Sequence, residues 1–539
     1  MSKTRPLAAL GAACAVLCAG AAQAAPQPLP TRHVPDAADA AHFVAALPAS
    51  QSLKLAITLP MHNQQALDRL LRDLQDPRSP GYRHYLSVAE FTSRFGPTAA
   101  EYAAALNFAA RHGLAVRATA PNRFVLDVQA PVARIEQTFG VHLGLYRHPD
   151  GTRLFYAPDR EPMADSETPL LHISGLDDFT IPAGHGVRGG VSLSAMAAPA
   201  GTGSAPNGNF TGRDIRQAYY GGTALTGAGQ IVALVEYEGF NITDVANYFS
   251  SLGQTNTVPV VAISVDGTSA SCTGSCDDFE AALDIEQSIA MAPGLKQVSF
   301  YIGSTPIDIL NRIATDNTAK QISSSYGWGA EADVEDPVYK EFAAQGQSFV
   351  DGSGDMGYKL TQGGVWPADD ANVTGVGATD LSTASAGGAW LAETGWSLSG
   401  GGPSPDGVKI PAWQKAFVNA TNKAAAARRN VPDVAAEGDY DNYACYDGKC
   451  TGGNGGTSFA APRWAGFIAL VNQQAVASNK ATVGFLNPTL YKLAAGAGYA
   501  NDLHDIVSGN NGKYAAVKAY DLVTGLGSPR AALIGALLP

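Results

Sequence analysis

Histidine is almost missing from the C-terminal two-thirds of this 539-residue chain: nine of its ten imidazoles lie at or before His185, and only His504 follows. Whatever chemistry that region performs has a single imidazole to draw on. Charged residues are scarce as well, at 16%, while glycine numbers 59. That balance excludes a disordered or coiled-coil chain and leaves a packed, loop-rich globular protein. Basic patches are lacking. The net charge is -12; residues 1–187 hold 16 basic and 16 acidic side chains, so the remaining 20 of 36 basic and 32 of 48 acidic residues put the whole acidic excess later. An acidic surface without basic stripes argues against nucleic acid or an anionic membrane as partner. It suits either solubility at neutral pH or work in acid, where carboxylates titrate near pH 4.

Long apolar runs are absent but for residues 7–20, which stand behind Lys3 and Arg5 and ahead of Ala22-Gln23-Ala24. This fits a cleavable secretory signal over residues 1–24, too short to span a bilayer, so a secreted protein is expected. Cysteine is sparse. Removing the signal takes Cys14 and Cys18 and leaves Cys272, Cys276, Cys445 and Cys450, an even number in an oxidising compartment. Local pairing of Cys272 with Cys276 and of Cys445 with Cys450 is expected, with a zinc site as the rival reading.

A chain of this length calls for at least two folded units. Residues 53–59, 124–128 and 141–146 read as strands, and 63–74, 99–112 and 132–139 as amphipathic helices, which makes 25–182 a small α+β domain. Residues 183–209 turn to Gly, Ser, Ala and Pro, the texture of an exposed, protease-accessible linker with a processing site. Beyond it, from 210 to 539, buried strands at 231–236, 298–302, 322–325 and 348–350 alternate with helical stretches. That pattern predicts an α/β domain with a largely parallel sheet between helices, its site at the carboxyl ends of the strands.

Chemistry concentrates at a few places. Gly455-Gly456-Thr457-Ser458-Phe459-Ala460-Ala461-Pro462 reads as a tight turn opening a small-residue helix, with the Ser458 hydroxyl at the helix N-terminus. The dipole there and the Ser458 N–H suit an oxyanion, as in subtilisin-like serine peptidases. His504, in an Asp-rich loop without a Gly-rich turn, makes a poor triad base, so another group must activate Ser458. In Phe279-Glu280-Ala281-Ala282-Leu283-Asp284-Ile285-Glu286, Glu280 and Asp284 share one face of a helix at i and i+4. Set among Leu283, Ile285 and Ile289, the pair favours sharing one proton in acid; a solvated acidic face is the other reading.

With that spacing to Ser458, the chain resembles the sedolisin or kumamolisin family of serine-carboxyl peptidases. Asp76-Pro77-Arg78-Ser79-Pro80-Gly81-Tyr82, Tyr85-Leu86 and Phe91 are similar to the activation-domain signature of that family. The resemblance implies a subtilisin-like fold behind a ferredoxin-like prodomain, and a self-processing zymogen that hydrolyses protein or peptide substrates in acid. It makes Ser458 the nucleophile, Glu280 the general base and Asp284 the residue that orients it. Asp355, in Gly354-Asp355-Met356-Gly357 where the family has Gly-Asp-Ser-Gly, becomes the oxyanion donor. Glu236 matches a position that bonds to the acidic pair in some relatives, or is a solvent-facing strand end. One Ca²⁺ is implied, held by the carboxylates of Asp505 and Asp521 and the carbonyls of Ile506, Val517 and Ala519, although the family has glycines at 517 and 519.

The prodomain is then expected to act as an intramolecular inhibitor of a monomeric enzyme. Its histidines, where buried neutral in an interface, would charge as pH falls through roughly 6 and push the domains apart; scattered surface histidines are the alternative. Two rival readings are a catalytically inactive peptide-binding relative and a subtilisin using His504.

Overall fold

Ile231–Glu236, a run of β-branched and aliphatic residues buried on both faces, is the middle of the larger sheet. In the computed structural model, which describes residues 26–189, 202–274 and 276–538 (without the side chains of 362 and 363), this strand pairs in parallel with Gln297–Ile302 on one side and Gln321–Ser324 on the other. Val260–Ser264 extends one edge; Ser348–Gly352 and Thr374–Thr383 extend the other, all parallel. Thr374–Thr383 then pairs in parallel with Val434–Glu437 and in antiparallel with Trp390–Gly395. Both faces are covered by helices, so the strands can be apolar throughout. The proposed signal, residues 1–24, and the middle of the linker, residues 190–201, lie outside the described residues.

Two long helices on one face bring the site together. Thr457–Ala477 packs along Phe279–Met291, and the packing depends on small residues: a methyl on Gly466 would come 2.7 Å from the Met291 Cβ. The turn before Thr457 needs glycine too, since Gly456 has φ 131° and a side chain there would strike His185 and Asp355.

The N-terminal unit has a four-stranded antiparallel sheet, ordered Ala115–Thr119, Val125–Pro131, Ser52–Thr58, His172–Ser174, with helices including Gln64–Gln75, Ala99–Arg111 and Val132–Phe139. The sequence placed Ser52–Thr58, Val125–Pro131 and the three helices to within a few residues and missed the two edge strands, Ala115–Thr119 and His172–Ser174. This unit is docked on the larger one. Leu67, Phe91, Phe95 and Phe124 share a buried cluster with Leu310, Val338, Tyr339 and Phe342 of the larger domain. Asn122 donates to Asn311 (2.7 Å) and Glu341 (2.9 Å), Tyr85 O–H to the Val483 carbonyl (3.0 Å), and the Leu86 N–H to the Ala344 carbonyl (2.9 Å). The signature Tyr85, Leu86 and Phe91 are thus docking residues. Both expected disulfides, Cys272–Cys276 and Cys445–Cys450, are formed.

The linker departs from expectation. Residues 183–189 are not free in solvent; they run as an extended strand across the larger domain. Ala183–Gly184 pairs in antiparallel with Tyr326–Gly327, the His185 N–H donates to the Ser325 carbonyl (2.9 Å), and Val187 exchanges both backbone bonds with Gly455 (2.8 and 2.9 Å). Open strand edges on the domain satisfy the linker's backbone groups, which composition cannot reveal.

Candidate active site

The four residues singled out for catalysis converge where that strand crosses the ends of the two helices. Glu280, Asp284, Ser458 and Asp355 are all buried. Glu280 Oε2 accepts the Gly186 N–H at 2.8 Å. Its Oε1 and the Ser458 Oγ have no hydrogen-bond partner, yet the serine hydroxyl is near enough to pull the Glu280 pKa down. The two groups therefore stand close without a formed bond, a geometry that commonly tightens once substrate is held. Burial, followed by the Asp284 charge, holds Glu280 well above the usual carboxylate range. Burial raises Asp284 likewise, against a 2.7 Å hydrogen bond from Ser325 Oγ. Neither acid lies on a solvated helix face, so the apolar-helix reading of this pair holds.

Glu236 is wholly buried, not solvent-facing. Burial first, then the charges of Asp284 and Glu280, raises its pKa well above normal; Tyr326 O–H donates to Oε2 (3.3 Å), and Oε1 has no partner. Three carboxyl groups thus share one poorly solvated region, which holds them together only if protons are retained. Ser325 belongs to this group through its bond to Asp284 and was not singled out from the sequence; its position at the carboxyl end of the Gln321–Ser324 strand was the available signal.

Asp355 sits opposite. Its Oδ1 accepts from the Thr457 N–H (2.8 Å) and hydroxyl (2.9 Å), while Oδ2 is buried without a partner. Burial pushes its pKa up to about 7. A methyl built on Gly456 would lie 2.5 Å from both Asp355 Oδ2 and the His185 carbonyl oxygen, so only glycine lets these groups meet. Met356 is exposed. His504 is elsewhere, stacked on Trp390 with ring centroids 3.9 Å apart and pushed down to about 3 by burial.

The expected calcium residues form one loop. Asp505 Oδ1 accepts the Ala519 N–H (2.9 Å) and Asp521 Oδ2 the Val517 N–H (3.1 Å); Ala519 has φ 66°, a conformation that favours the glycine the family carries there. Among the described residues no three His, Cys, Asp or Glu side chains cluster as a metal site, which leaves a set of two carboxylates and carbonyls untouched. No helix among them is long and apolar enough to cross a membrane.

The activation-domain pattern of pro-kumamolisin matches residues 39–179, and the subtilase family pattern residues 288–494. Kumamolisin of a Bacillus species is 32% identical over 91% of this chain and 93% of its own length. The chain belongs to the sedolisin family. Sedolisin of a Pseudomonas species is 27% identical over 89% of the chain and 86% of itself. A solved Pseudomonas sedolisin, described as a serine-carboxyl proteinase complexed with pseudo-iodotyrostatin, covers 63% of this chain and 98% of its own at 28% identity and a TM-score of 0.52. The protein is a secreted serine-type endopeptidase of that family, made with an N-terminal activation domain.

Proposed function

We propose that this sedolisin-family peptidase cleaves peptide bonds in acid through Ser458. Glu280 takes the serine proton and returns it to the leaving amine, Asp284 holds Glu280 and shares its proton, and Asp355 donates to the oxyanion. One observation carries the reading: the linker lies in the site as a substrate would. The Gly186 N–H on Glu280 is the amine that would leave, and the His185 carbonyl stands beside the Asp355 carboxyl. Ser458 Oγ bonds to the His185 carbonyl carbon as its proton passes to Glu280. The oxyanion is met by the Asp355 O–H. The carbon–nitrogen bond then breaks as Glu280 gives the proton to the Gly186 nitrogen, and water, deprotonated by Glu280, hydrolyses the ester. Protein and peptide substrates would follow the same path.

In this scheme residues 25–182 are the prodomain, 183–209 the linker and 210–539 the peptidase, working as a monomer. The prodomain strand order, 115–119, 125–131, 52–58, 172–174, supports a ferredoxin-like fold. Acid release draws support from three of the nine prodomain and linker histidines. His33 stacks on His172 (4.2 Å), whose Nε2 is 3.6 Å from Glu331 of the peptidase domain; burial, then the His172 charge, lowers His33 to about 4. His185 is the third. Acidification of the purified zymogen tests the scheme. Gly186 is expected as the first new N-terminus at pH 4, with no cleavage at pH 8; a first cut elsewhere, or full activity at pH 8, would sink it.

Ca²⁺ fits the C-terminal loop. Asp521 is wholly buried, raised to about 7 by burial with only neutral donors bonded to it, and the available donors are all hard oxygens. Asp505, Asp521 and the carbonyls of Ile506, Val517 and Ala519 would hold the ion, which ties the loop to the core. Calcium at about 100 times its Kd adds about 2.7 kcal/mol, or about 4 °C in Tm for a domain of this size. Calorimetry of the mature enzyme with calcium and with chelator is expected to show that shift, and Asp505→Asn to abolish it. Equal Tm values in the wild type would remove calcium from the account.

A further inference from the structure

The imidazole of His185 is buried in a slot bordered by the backbone of three glycines. His185 is 5% exposed. A methyl on Gly327 would come 2.7 Å from its Cε1, one on Gly352 3.4 Å from Cδ2, and one on Gly354 3.8 Å from Cε1. The Gly364 carbonyl closes the side beyond Gly327. Nε2 is buried there without a hydrogen-bond partner. The titratable groups on the surrounding elements are Glu280 and Asp284 on the helix, Tyr326 beside Gly327, Asp351 beside Gly352 and Asp355 beside Gly354. None of them compensates a charge on the ring: burial alone lowers the imidazole to about 4.

We propose that this glycine-walled slot is the S1 subsite and that it selects bonds preceded by a flat or slender uncharged side chain, rejecting lysine and arginine. The proposal rests on the catalytic reading above, in which His185 supplies the carbonyl under attack. Its physics is desolvation. A cation entering the slot gives up water and meets no ionised carboxylate, a cost that nothing there offsets. Neutral histidine still leaves Nε2 unsatisfied, so an apolar ring of similar outline fills the same space without that penalty. The zymogen's own residue is therefore a tolerated occupant and not the best one.

The test uses the full-length protein after acid activation and peptides of the linker sequence Pro-Ala-Gly-X-Gly-Val-Arg, residues 182–188 with X at position 185. X is Phe, Met, His, Lys or Arg; Met and Lys differ little in length, so that pair isolates charge. We expect cleavage after X, with kcat/KM for Phe and Met about 100-fold or more above Lys and Arg. The His-to-Phe ratio is expected to fall about tenfold per pH unit between about 6 and about 4, because free histidine gains a proton that the slot excludes. Taking a ratio cancels the enzyme's own titration. Cleavage with Lys or Arg equal to Met, or a pH-independent His-to-Phe ratio, overturns the slot and leaves the catalytic scheme standing. Failure to cut any peptide at acid pH overturns the scheme and the slot with it.

Discussion

Glu280→Gln is expected to leave the zymogen uncleaved and to lower peptide hydrolysis on the order of 10⁴-fold at every pH. Glutamine has the same outline and keeps an acceptor for the Gly186 N–H, but it cannot take the Ser458 proton. No second base stands by, since Ser458 Oγ has no hydrogen-bond partner and His504 is stacked on Trp390. Folding should survive the change. Glu280 is a buried acid with no counter-cation and a raised pKa, so a neutral amide removes a charge that the interior disfavours, and Tm is expected to stay level or rise. Peptide turnover and calorimetry on the same sample separate the two effects. Substantial activity in Glu280→Gln that disappears in His504→Ala would falsify the carboxyl mechanism and restore the imidazole one.

Asp355→Ala should cost about 10²- to 10³-fold in kcat, or about 3 to 4 kcal/mol, with KM little changed, because an oxyanion donor acts on the transition state. Asp355→Asn separates donation from packing. Its amide oxygen can keep the two bonds from Thr457, and its NH₂ can donate where the protonated carboxyl did, so partial recovery over alanine is expected. The pH profiles should differ as well. Burial raises Asp355 to about 7, so the wild type holds the donor proton below that pH and loses it as pH rises through about 7. The asparagine variant has no such ionisation, and any alkaline fall that remains belongs to the Glu280–Asp284 pair. An unchanged wild-type profile in Asp355→Asn, together with full activity in Asp355→Ala, would show that Asp355 only shapes the turn.

Much of this site could be read from local patterns. The spacing of Glu280 and Asp284 on one helix, the Gly-Thr-Ser turn and the want of imidazole after residue 185 are all short-range properties, and backbone periodicity decides them. Strands with continuous β-branched residues, such as Ile231–Glu236, were legible for the same reason. The docking of residues 183–189 was not legible because their composition matches that of an exposed segment, and pairing to a distant strand edge leaves no mark on composition.

By itself, then, the amino-acid order singled out the side chains proposed to carry the chemistry and most of the stretches that form strands and helices, since both follow from residue type and local period. Tertiary packing decided the rest. Gly186 meets Glu280 across 94 positions and Asp355 meets Thr457 across 102. Only such long-range contacts exclude water, and the exclusion of water is what raises the carboxyl pKa values and lowers that of His185.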